Sequence, residues 1–132
     1  MDIILTDWAT QSYADLKKKH MFTDQEYWDT LRPDTLKLKQ FPGDPHFGNS
    51  NKWGPANKGA GQNVSDGFKL KWTTGPGNNE LRVMVAILGQ EAFICQGYVK
   101  TKPQHDYREA LNLEVHISNI RLGRYIKRGE LK

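Results

Sequence analysis

The sequence predicts an α+β fold: an N-terminal strand and helical hairpin, an antiparallel β-sheet meander and a C-terminal helix. Three observations carry that prediction. Helix caps and helical spacing dominate the first 41 residues, apolar/polar alternation of period two begins at Phe68, and a stripe of helical period runs along residues 110–120. With 132 residues, 37% of them hydrophobic and 26% charged, the composition is that of a single globular domain over 1–132.

The elements follow in order. Ile3-Ile4-Leu5 is a short apolar run ahead of Thr6-Asp7, both good N-caps, so a strand turns directly into a helix over about Trp8 to Lys19. Ala9, Tyr13 and Leu16 share the inner face of that helix. Thr23-Asp24-Gln25-Glu26 is a capping box that starts a second helix through Tyr27, Trp28 and Leu31, with a break or kink at Pro33 and a continuation through Leu36 and Leu38.

Between residues 42 and 66 no period survives. Twelve of these 25 residues are Gly, Pro or Asn, which predicts a long loop, functional or disordered. Gly54-Pro55-Ala56-Asn57-Lys58-Gly59-Ala60-Gly61 lacks the Gly-Lys-Ser/Thr ending of a phosphate loop and is rejected as one.

Phe68-Lys69-Leu70-Lys71-Trp72 alternates, predicting a strand that buries its apolar members and projects both lysines from the opposite face. Thr73 to Asn79 is turn chemistry, Leu81 to Leu88 a second strand, Gly89-Gln90 a turn, and Ala92 to Val99 a third strand. Ala110, Leu113, Ile117 and Ile120 form one stripe, giving a helix from about Asp106 to Arg121 whose apolar face packs on the sheet. Residues 123–132 form a basic tail of unassigned structure.

The chain contains no apolar run of the length a membrane helix needs and no signal-peptide pattern at its start, so the expectation is a cytoplasmic protein without membrane contact. Cys95 is the one cysteine; an intramolecular disulfide and a Cys/His zinc site are both excluded. The net charge of +4 is unevenly spread. Residues 1–66 hold 8 Lys/Arg against 9 Asp/Glu, whereas residues 67–132 hold 11 against 6, which points to a polyanionic partner for the second half.

Adjacent antiparallel strands lie only ~4.8 Å apart, so Lys69, Lys71, Arg82, Lys100 and Lys102 are placed to converge on one sheet face, near Tyr107 and His105. Such a cluster without metal ligands suits RNA cleavage by the substrate's own 2′-hydroxyl. Fixed cations stabilise the phosphorane, and a neighbouring phenol or amine, its pKa lowered by the positive field, moves the proton. No cofactor is needed for that chemistry.

Phe68-Lys69-Leu70-Lys71-Trp72, Leu81-Arg82-Val83, Gly97-Tyr98-Val99-Lys100 and Tyr107-Arg108-Glu109-Ala110 together resemble the framework of RelE-type toxins of bacterial toxin–antitoxin systems. The segment Lys100-Thr101-Lys102-Pro103 is similar to the related HigB branch. The resemblance spans residues 1–122 in element order and four short patches in identity. It implies a microbial ribonuclease-like fold and a metal-independent endoribonuclease acting on mRNA in the ribosomal A site, held silent by a cognate antitoxin. The implied catalytic set is Lys69, Lys71, Arg82, Lys100 and Tyr107, with Lys71 or Tyr107 as base, Lys69 and Arg82 on the phosphate, and Lys100 or Lys102 on the acid side. Lys102, His105 and Arg108 are the implied RNA-binding residues. The long loop, the tail and the Lys-Thr-Lys ending of the last strand depart from a minimal member. A non-catalytic nucleic-acid-binding or gyrase-binding module on the same scaffold is the alternative.

Overall fold

A computed structural model describes all residues 1–132. Its centre is a six-stranded mixed sheet in the order β2-β3-β4-β5-β1-β6, covered by helices on both faces. The fold is α+β.

Strand β1 (Asp2–Thr6) feeds α1 (Asp7–Lys18) without a loop. Thr6 makes this sharp junction possible. Its Oγ1 caps the helix by accepting from the Ala9 amide at 3.3 Å and donates to the Ile94 carbonyl at 2.7 Å, so one buried hydroxyl ties the helix start to the sheet.

The capping box at Thr23 forms as the sequence predicts, with reciprocal bonds of 2.9 and 3.0 Å between Thr23 and Glu26. It opens α2 (Asp24–Glu26), followed by a π-helical turn at Tyr27–Leu31, α3 (Arg32–Leu36) and a 3-10 turn at Lys37–Gln40. The predicted break at Pro33 is thus a change of helical winding. Pro33 has no N–H for the Asp29 carbonyl and its ring would press on it; widening the preceding turn, with the Arg32 amide bonded to the Tyr27 carbonyl, carries the helix past.

The stretch from 42 to 66 is not the structureless loop that its composition predicts. It contains a 3-10 turn at Pro45–Gly48, the edge strand β2 (Trp53–Asn57) and the start of β3 (Asn63–Thr74). Gly and Pro obscure β2 because it is an edge strand, where Pro55 sits opposite Phe68 and costs the sheet little. Trp53 is buried and stacks on Phe68 at 5.1 Å, pinning the segment to the body. The tail is likewise structured. Lys127–Leu131 forms β6, antiparallel to β1, and its exposed Lys127 and Arg128 suit a strand that must discourage further pairing.

The expected meander is β3, β4 (Asn79–Leu88) and β5 (Glu91–Lys100). Parallel pairing of β1 with β5 then makes the sheet mixed. The run Leu81 to Leu88 is nearly continuously apolar because both faces are covered: Leu81 and Val85 join a core under α1 and the 24–40 segment, Met84 and Ala86 a core under α4 (Pro103–Arg121). Helix α4 begins three residues earlier than predicted, with Pro103 in its first turn. Its stripe Ala110, Leu113, Ile117 and Ile120 is buried as expected. Gly67 allows the close approach of α4 to β3, since a Cβ there would lie 2.8 Å from the Leu113 side chain.

Candidate functional site

Alternation along β3, β4 and β5 decides which side chains meet. Lys71 is opposite Arg82, Arg82 is opposite Tyr98, and Glu80 is opposite Lys100. Phe68, Leu70 and Trp72 point to the helical-hairpin side, so Lys69 and Lys71 emerge on the face shared with α4. Four predicted cations, Lys69, Lys71, Arg82 and Lys100, therefore gather where the first turn of α4 crosses the sheet.

At the centre of this group stands Asp106, a buried carboxylate. Its Oδ2 receives the Lys69 and Lys100 ammonium groups, each at 3.1 Å, and its Oδ1 accepts from the Tyr98 hydroxyl at 2.5 Å. Burial alone would raise the Asp106 pKa. The hydrogen bonds from Tyr98 and Lys100 and the charge of Lys69 outweigh it and hold the carboxyl below its ordinary value. The first turn of α4 favours the same anion. Tyr98 is pushed strongly upward by its own burial and by bonding to Asp106, so this phenol stays protonated and cannot serve as a base near neutral pH.

Arg82 is also buried. One guanidinium nitrogen donates to the Trp72 and Leu81 carbonyls at 3.2 and 3.1 Å, and the other reaches Glu80 at 3.3 Å. Its Nε and the Oε1 of Gln96 are buried without a hydrogen-bond partner. Lys71 differs from the other three cations in having no carboxylate partner; its Nζ donates to the Ser50 carbonyl at 2.8 Å. Its pKa is lowered, first by burial and then by the charges of Lys69 and Arg82.

Tyr107 lies outside this cluster. Its side chain is exposed, and its ring covers Gly59 in the turn between β2 and β3. Adjacent residues on a helix diverge by 100°, so with Asp106 turned to the sheet, Tyr107 turns away. Lys102 is exposed at the N-cap of α4. His105 accepts from the Thr101 amide at 3.0 Å through Nδ1, a capping role, and Arg108 is exposed with Nε 3.8 Å from Glu109. These three form a polar rim at the same helix end.

Sequence reading missed Tyr98 and Asp106. Period two places Tyr98 on the face of Lys100, and that signal was available; Asp106 was recognisable only as a helix-start residue. No three His, Cys, Asp or Glu side chains are grouped to share a metal ion. His46 is turned inward rather than toward solvent, and Cys95 is fully buried. Neither joins the cluster. No family model and no curated protein matches the chain.

Proposed function

We propose that the protein is a metal-independent endoribonuclease, the toxin of a bacterial toxin–antitoxin pair similar to the RelE/HigB type, with mRNA, the ribosome and a cognate antitoxin as its partners. The observation that carries this reading is Lys71, a half-buried amine of lowered pKa, in no ion pair with a carboxylate and within the fields of Lys69, Arg82 and Lys100. A cationic pocket of this kind stabilises the charge that builds on a phosphorane, and a lowered pKa raises the fraction of neutral amine able to accept a proton.

In the proposed reaction the 2′-oxygen attacks phosphorus as Lys71 takes its proton. Lys69 and Arg82 hold the non-bridging oxygens, and the 5′-oxygen leaves with a proton delivered on the side of Lys100 or Lys102. The products are a 2′,3′-cyclic phosphate and a 5′-hydroxyl. Tyr107, turned onto Gly59, is reassigned from base to a residue that covers the β2–β3 turn.

One observation favours the alternative, a non-catalytic module binding nucleic acid or gyrase through the same face: Lys69 and Lys100, assigned to the phosphate and the leaving group, are both already ion-paired with Asp106. Controlled expression separates the two. Mapping RNA ends after induction, with and without ribosomes, yields 2′,3′-cyclic phosphate termini if the protein is a nuclease, and none in Lys71→Ala. Growth arrest with intact RNA assigns the binding module instead.

A further inference from the structure

The face of the sheet opposite the cations carries an apolar cavity of about 220 Å³ between α1, the π-helical turn and strands β4 and β5. Tyr27 and Leu31 bound it from the π-helical turn, Ala9 and Leu16 from α1, and Leu81 and Val83 from the sheet. The π-helical turn that carries the chain past Pro33 shapes one wall. The cleft is lined mainly by apolar side chains and is partly open to solvent, a setting in which a small ligand can bury an apolar body.

The polar atoms at the cavity specify what that occupant carries. The hydroxyls of Thr10, Ser12 and Thr35 donate to the carbonyls of Asp7, Ala9 and Leu31 in the preceding helical turn at 3.0, 3.0 and 2.7 Å, so their protons are already committed. Ser12 also accepts from the Gly97 amide. The donors not committed within the protein are the Tyr13 and Tyr27 hydroxyls and Arg32, the one charged side chain of the lining, held over the Trp28 ring at 5.6 Å and using a single nitrogen on the main-chain oxygen of Lys132 at 3.1 Å. A guanidinium with free N–H groups at the rim of an apolar pocket can recognise a carboxylate in bidentate fashion.

We infer that this cavity is a binding site for a small carboxylic acid with an apolar aliphatic or aromatic body, its carboxylate on Arg32 and its body between α1 and the sheet. A cavity of 150 Å³ holds benzene, so 220 Å³ accommodates a body and head group of about nine heavy atoms. The site is independent of the nuclease reading, since Arg82 and Tyr98 point to the other face of the same strands.

Titration of the full chain with hexanoate and benzoate, and with the neutral 1-hexanol and benzyl alcohol, followed by methyl chemical shifts, tests this. The acids are expected to shift Leu31, Leu81 and Val83 methyls and to bind about tenfold more tightly than the alcohols, as one charge-assisted contact predicts. Arg32→Gln removes that preference while the alcohols still bind. Ala9→Leu, which fills the cavity, abolishes binding of all four probes; should Ala9→Leu not fold, Val83→Ile must weaken them. Absence of shifts at the solubility limit, or equal affinity of acids and alcohols, overturns the proposal. The second of these results would mark the cavity as a pocket for a partner's apolar side chain.

Discussion

The Tyr98 hydroxyl donates to Asp106 Oδ1 at 2.5 Å, while the other oxygen of the same carboxylate receives Lys69 and Lys100. A phenol of β5 and a first-turn aspartate of α4 thus organise the cationic face. Because the Asp106 and Lys69 side chains are only 7% and 12% exposed, water does little to screen them.

Asp106→Asn removes the charge that both lysines need. The expected loss of stability is about 3 kcal/mol, the cost of breaking a buried pair from one side, read as a lower urea midpoint. The wild-type advantage is also pH dependent. Since the folded-state pKa of Asp106 lies below its ordinary value of 3.8, this stability is complete above that pH and fades as pH falls through the folded value. An Asp106→Asn protein with an unchanged midpoint at pH 7 contradicts the account.

Lys71 sets the second expectation. If its amine takes the 2′-proton, the rate of RNA cleavage rises with pH along a limb whose midpoint lies below 10.5, the ordinary lysine value, because burial and the charges of Lys69 and Arg82 lower the pKa. Lys71→Arg abolishes that limb and reduces the rate by about a hundredfold or more. A variant that retains the wild-type profile excludes Lys71 as the base.

Gly67 makes a prediction about packing rather than charge. In Gly67→Ala the new methyl group meets Leu113 Cδ2 and Val64 Cγ1, both at 2.8 Å, so α4 must lift from β3. The expected cost is about 1–3 kcal/mol. Hydrogen exchange reports it as faster opening of α4, with the β1–β5 pairing unaffected.

His46 provides a fourth. It is 5% exposed, and neither ring nitrogen has a partner; burial lowers its pKa from 6.5, the charge of Asp34 opposes that shift, and Lys37, Lys52 and Asp44 act more weakly. The unfolded chain therefore binds a proton that the folded chain resists. Stability is full above about pH 6.5 and falls as pH drops through the folded value. His116, stacked on Trp8 at 3.8 Å and also lowered by burial, adds to the same slope. His46→Phe reduces the slope below pH 6.5 in urea titrations; an unaltered slope assigns it to His116 alone.

Local chemistry in the sequence determined the Thr6 cap, the Thr23 capping box, the three meander strands and the buried stripe of α4, because caps and periodicity act between residues a few positions apart. It also determined which cations share a sheet face, since side-chain alternation places Lys69, Lys71, Arg82 and Lys100 together once the strands are aligned. Tertiary structure alone decided the rest. Strands β2 and β6 exist through pairing with partners already in the sheet, a long-range contribution that Gly-rich or basic segments do not announce. The direction in which α4 crosses the sheet decided that Asp106, not Tyr107, meets the lysines, and hence that Lys71 alone of the four clustered cations has no ion-pair partner. The physical reason is geometric: one residue's step around a helix turns a side chain by 100°, and only packing sets which step faces inward.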